Sequence, residues 1–275
     1  MAVAAALSLA AGCATLPEDP ADRAEVIALN DPIEPANRMM FAINEAVDVF
    51  AIRPAAVVYR DFMPAPGKEL IYNFVRHISL PLTIVNDVMQ GEWDRADIAA
   101  KRFFVNSIAG FGGVVDAATG LGLPHHKEDF GQTLATYDVA AGPYLVLPLV
   151  GPSSARHAVG RIFDFVLDPF TYLLAAGPPI STIATRGMSI VDERYRLLGP
   201  LDEVKKSSLD YYATMRSLYR QRRALQIENR DEGRTPTLGA VLAPASPTAP
   251  FALYEWSPFD AIAETPAPTT TSKGG

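Results

Sequence analysis

Cysteine occurs once in the 275 residues, at Cys13, so no intramolecular disulfide can form and export has to be argued from other features. Basic residues are in deficit. There are 24 Lys and Arg against 31 Asp and Glu, a net charge of −7 with a pI near 5.1, which leaves no electrostatic footprint for nucleic acid. Charge is absent from Met1 to Gly12, but a run of that length falls short of the roughly 20 residues that span a bilayer. Alternating strand patterns are scarce, and no internal repeat is evident.

What the first residues do offer is the length and character of a signal-peptide apolar region. Leu9-Ala-Ala-Gly-Cys13 then places small residues before a thiol, in the manner of a bacterial lipobox, with Ala10 where Leu is usual and no Lys or Arg upstream. The expectation is a signal peptide over 1–12, a lipidated Cys13, and a polar linker over 13–30.

Hydrophobic residues make up 49% of the chain, yet 23 prolines are scattered among them. Asp31-Pro-Ile-Glu-Pro35 is a helix-start signal, because Pro is tolerated in a first turn and acidic groups suit that end. Met40, Ile43, Val47 and Phe50 recur at helical spacing until Pro54 ends or kinks the helix. A second stripe, Leu70 to Ile78, stops near Pro81, and a third, Leu82 to Met89, ends at Gly91. A fourth helix from about Glu92 to Ile108 is expected to bury Trp93, Ala96, Ala100, Phe103 and Phe104, with Asp94, Arg95, Lys101 and Arg102 outward. Two uncharged stretches, 139–155 and 169–185, are broken by Pro and Gly. In lipid such backbone survives only when buried in protein or lining a polar cavity, so both are expected to be broken, membrane-embedded or deeply buried segments. From Leu201 to Asn229 the chain is charged, with Leu209, Tyr212, Met215 and Tyr219 on one face. Beyond Gly233 the Pro, Thr, Ala and Ser composition cannot order itself, giving an expected disordered tail over 233–275.

Catalytic chemistry finds little support. Gly151-Pro-Ser153-Ser-Ala155 lacks the final Gly of a nucleophile elbow, no strand is expected to lead into it, and His157 follows too closely. His125-His126 with Glu128 and Asp129 reads as an exposed loop in preference to a metal site. The glycines of 110–113 and 120–122 lack a phosphate-cradling or dinucleotide spacing. Arg220, Arg222 and Arg223 read as a solvated face, with contact to headgroups or an acidic partner as the alternative. No catalytic residue and no metal ligand is expected.

Several motifs carry a family resemblance: Asn30-Asp-Pro-Ile-Glu-Pro-Ala-Asn-Arg-Met-Met-Phe41, Leu82-Thr-Ile-Val-Asn-Asp-Val-Met-Gln-Gly91, Arg102-Phe-Phe-Val-Asn-Ser-Ile-Ala-Gly-Phe-Gly-Gly113 and Glu128-Asp-Phe-Gly-Gln-Thr-Leu134. Gly142-Pro-Tyr-Leu-Val-Leu-Pro148 and Ser208-Leu-Asp-Tyr-Tyr212 with Arg216 and Tyr219 continue it. In this order they resemble the MlaA (VacJ) family of outer-membrane lipoproteins, over an expected domain of 31–232. The resemblance implies a mainly α fold: a ring-shaped bundle of amphipathic and broken helices with a central polar channel, embedded in the periplasmic leaflet of the outer membrane. It implies extraction of mislocalised phospholipids from the outer leaflet and delivery to a periplasmic lipid carrier, association with trimeric porins, and neither cofactor nor enzymatic activity. Asn86, Asp87, Asn106, Ser107 and Gln132, polar among apolar neighbours, are candidates to line the channel. Their alternative role is to cap helices or satisfy buried backbone. A scaffold that ties porins to the envelope without conducting lipid is the rival function.

Overall fold

A computed structural model describes residues 30–176 and 179–228. The expected signal peptide, Cys13, the linker up to residue 29 and the C-terminal tail lie outside the described residues.

The described residues are mostly helical. Helix α1 (Glu34–Val47) begins at the expected Pro-flanked start, with Glu34 in its first turn. Pro54 does not end it. A π turn over Asp48–Ile52 carries the chain directly into α2 (Arg53–Phe62), whose first turn holds that proline. A wider turn beside a missing N–H is a common way for a helix to absorb such a defect.

Pro81 is likewise inside a helix. Helix α3 runs unbroken from Ala65 to Gln90 where two helices were expected. A proline removes one ladder bond, but α3 lies along α4 (Trp93–Ile108) in the most extensive helix pair of the fold. His77, one turn before Pro81, stacks on Phe103 of α4 with ring centres 4.9 Å apart. Packing overrides the local penalty. Gly91 ends α3 in the left-handed region (φ 79°), and the Glu92 amide closes onto the Asp87 carbonyl at 2.9 Å.

A glycine-rich loop follows α4. At Gly113 (φ 87°) a Cβ would fall 2.1 Å from the His77 ring, so the loop seats on α3 only because no side chain is there. Short helices α5 (Ala117–Gly120) and α6 (Phe130–Thr136) come next. The first uncharged stretch then forms an antiparallel hairpin, β1 (Tyr144–Leu147) and β2 (Gly151–Ser154), pairing Tyr144 with Ser154 and Leu147 with Gly151. Strand β2 leads straight into α7 (Ala155–Leu167), so a strand does precede Ser153, contrary to expectation. Helices α8 (Pro169–Ala175), α9 (Pro179–Arg196), α10 (Leu198–Ser207) and α11 (Tyr211–Ile227) complete the described residues.

Helix α1 holds the hairpin with two asparagines seven residues apart. The Asn37 amide donates to the Tyr144 carbonyl (3.0 Å) and accepts from the Val146 N–H (2.9 Å), as a neighbouring strand would. Asn44 does the same for the Leu147 carbonyl and the Leu149 N–H, both at 2.8 Å. Tyr144, Val146 and Tyr212 form a small apolar core with Met40, Phe41 and Tyr219 around it. Among the described residues, no helix is long and apolar enough to cross a membrane.

Candidate functional site: a charged interior behind an apolar exterior

Helix α4 shows how the molecule is organised. Its buried stripe is Ala96, Ala99, Arg102 and Asn106. Trp93 and Phe104, expected inside, are 67% and 63% exposed, and Ile108 is 81% exposed. Arg102, expected outside, is 1% exposed. The reason is its partner: Arg102 meets both carboxylate oxygens of Asp116 at 2.8 Å. Paired this way, a guanidinium tolerates burial. The same inversion holds across the fold. Among the described residues nineteen polar or charged ones are buried against twelve hydrophobic ones, so ionic joints, not apolar packing, fill much of the interior.

Three joints matter most. In the first, Asn106 donates to Asp116 (3.1 Å) and accepts from the Ala118 N–H (2.9 Å), while Thr119 also donates to Asp116. Burial pushes the Asp116 carboxyl up, but hydrogen bonds from Thr119 and Asn106 and the Arg102 charge outweigh it and hold it well below the usual range. Ser107, next along α4, donates to the Phe103 carbonyl at 2.7 Å and lies 3.4 Å from the His77 ring.

The second joint lies between α3 and α6. Thr133 donates to Asn86 (2.7 Å), Asp87 faces His126 (2.8 Å), and Gln90, Arg95 and Gln132 converge on Glu128. His126 and Glu128 are therefore buried, not part of an exposed loop. Burial raises the Glu128 carboxyl to about 7, against the pull of Gln90 and Arg95. Burial also raises Asp164, which accepts from the Phe130 N–H at 2.9 Å, to about 6.

The third joint fixes the C-terminal helix. Arg223 grips both oxygens of Asp129 and is buried, unlike the solvated arginine expected there. Arg216 pairs with Asp31 at 2.7 Å, and Arg38 spans Glu34 (2.7 Å) and Asp210 (2.6 Å). Leu209, expected on the apolar face of this helix, precedes it and is fully exposed.

Of the five channel candidates, Asn86, Asp87 and Gln132 meet in the second joint, and Asn106 belongs to the first with Ser107 beside it. Asn86, Asp87, Asn106 and Gln132 are at most 4% exposed, so a headgroup reaches them only if these joints open. Sequence reasoning put Arg95 and Arg102 outward, Glu128 and Asp129 in an exposed loop and Arg223 first on a solvated face, and it missed Asp116 altogether. The usable signal was the small residues Ala96 and Ala99 in register with Arg102 and Asn106, which marks the close-packed face of α4. At the β2–α7 junction Ser154 caps the helix through the His157 N–H (3.2 Å), and the His157 ring faces Tyr219 (3.1 Å). Among the described residues, no cluster of His, Cys, Asp and Glu could hold a metal.

The family model described as MlaA lipoprotein matches residues 29–226. The chain belongs to the MlaA lipoprotein family. A protein of Rickettsia bellii is 38% identical over 199 residues, covering 72% of this chain and 77% of that relative. The intermembrane phospholipid transport system lipoprotein MlaA of Escherichia coli is 32% identical over 226 residues, 80% of this chain and 85% of that protein. A solved structure described as the structural basis for maintenance of bacterial outer membrane lipid asymmetry aligns with a TM-score of 0.64 at 32% identity. It covers 72% of this chain and 98% of that one. The joints are where the MlaA motifs meet: 30–41 with 208–219, and 82–91 with 128–134.

Proposed function

We propose that this MlaA-family chain is an outer-membrane lipoprotein of a Gram-negative bacterium, anchored through acylated Cys13 in the periplasmic leaflet. It takes mislocalised phospholipids from the outer leaflet through a polar channel and passes them to a periplasmic lipid carrier, in association with trimeric porins. The observation that carries the proposal is the inverted amphipathy of the fold. A phospholipid headgroup costs several kcal/mol to bring through hydrocarbon without polar partners. A protein with ionic joints inside and bulky apolar side chains outside supplies those partners while remaining wetted by lipid. Asn86, Asp87, Asn106, Ser107 and Gln132 are proposed to meet the headgroup as the joints open, with half-buried Ser107 reached first.

The test is outer-leaflet phospholipid in a deletion strain complemented with this chain. Asymmetry should be restored without release of fatty acid or lysophospholipid, and Ser107→Leu should abolish the rescue while the protein remains folded and at normal abundance. Porin association without restored asymmetry would favour the scaffold function and overturn the proposal.

A further inference from the structure

A cavity of about 200 Å³ opens between the base of the hairpin and α11, lined among others by Tyr144, Ser154, Arg156, Tyr219, Arg223 and Ile227. Just behind its wall lie donors without partners. Arg223 commits both terminal nitrogens to Asp129, and its Nε has no hydrogen-bond partner. Arg156 donates to the Val139 carbonyl, pairs with no carboxylate among the described residues, and also has an unpartnered Nε. The Tyr144 hydroxyl is a third buried group without a partner, on a side chain 3% exposed.

Charge is unbalanced at the same place. Arg156, Arg161 and Arg223 gather around Asp129, with Glu193 acting on Arg161 and Glu128 on Arg223 besides, and Asp31, which acts on Tyr144 from the other side, is already held by Arg216. Burial, and then the like charge of Arg223, lower the affinity of Arg156 for its proton. Arg156, a half-buried cation with no carboxylate partner and an unpartnered Nε, beside a tyrosine hydroxyl that is also unpartnered, makes a place suited to an anion.

We propose that this cavity binds a phosphate group, that of a phospholipid headgroup or of a free phosphate ester, held by Arg156, Arg223 and the Tyr144 hydroxyl with Ile227 as the apolar wall. Guanidinium forks match phosphate oxygens in geometry as well as charge. The volume admits a headgroup and not a pair of acyl chains. The site stands on its own residues and not on the transport proposal.

The experiment titrates the full chain in detergent with inorganic phosphate, followed by phosphorus NMR, against chloride at equal ionic strength. Saturable binding is expected, at least tenfold weaker in Arg156→Gln, severalfold weaker in Tyr144→Phe, and partly restored in Arg156→Lys. Tyr144→Phe removes only an unpartnered hydroxyl, so its effect cannot be ascribed to misfolding. Short-chain dihexanoyl phosphatidylglycerol that displaces phosphate identifies a headgroup site; failure to displace it identifies a site for free phosphate esters. Phosphate behaving as chloride does, or equal affinity in Arg156→Gln, overturns the proposal. Loss of phosphate binding with lipid asymmetry intact would leave the transport function standing alone.

Discussion

Asn37 shows how much of this fold depends on single polar side chains. Its amide completes a donor and an acceptor of β1 that have no strand beside them. In Asn37→Leu both backbone groups stay buried and unpaired, at about 1–3 kcal/mol each. Chemical denaturation in detergent should show a loss in that range or above, and loss of near-ultraviolet signal from the Tyr144–Tyr212 core. Glu128 makes the matching prediction for pH. Its folded carboxyl sits at about 7 because of burial, above its unfolded value of 4.5. Its contribution is therefore fully present below pH 4.5 and is lost as pH rises towards 7. Asp164, at about 6, acts in the same sense over a lower window. Glu128→Gln should flatten the fall in stability between pH 4.5 and 7. An unchanged slope would place the burial penalty elsewhere.

At the scale of elements, the crossing of α6 and α7 has no room to spare. A Cβ on Gly160 would lie 2.4 Å from the Gly131 amide nitrogen, and one on Gly131 would lie 2.7 Å from the Arg223 guanidinium. Gly160→Ala should cost at least roughly 1–3 kcal/mol as the helices separate and the Asp129–Arg223 joint loosens. Gly187, inside α9 with nothing near its Cβ position, is the control, and its replacement by Ala should gain up to about 1 kcal/mol from helix propensity. Thermal melts of the two variants should move in opposite directions. Helices of this kind were legible in the sequence where periodicity and capping agree, as at Asp31–Pro35 and Gly91. Pro54 and Pro81 were misleading because a π turn and tertiary packing absorb a proline that a local rule counts as a break. The hairpin was missed because its outer pairing partners are side chains of α1, which no alternating pattern in 144–154 can reveal.

For the whole molecule, the sequence disclosed which residues are polar but not which way they face. Trp93 and Phe104 were expected inside, and Arg95 and Arg102 outside, because a helix in water buries its apolar stripe. That rule reverses where neighbouring elements supply carboxylates, and Asp116 and Glu128 lie too far along the chain for spacing to predict the match. The reversal has a measurable consequence. Phe104 and Ile108 stand four residues apart on one exposed face of α4, and neither is part of the ionic interior. Replacing both by Asp should leave the unfolding midpoint in detergent within about 0.5 kcal/mol of the parent. Co-sedimentation with phospholipid vesicles should fall by fivefold or more, because charge is being moved into hydrocarbon. Vesicle binding that survives the double substitution would mean that this face looks into water, and the apolar exterior of α4 would then need a protein partner to cover it.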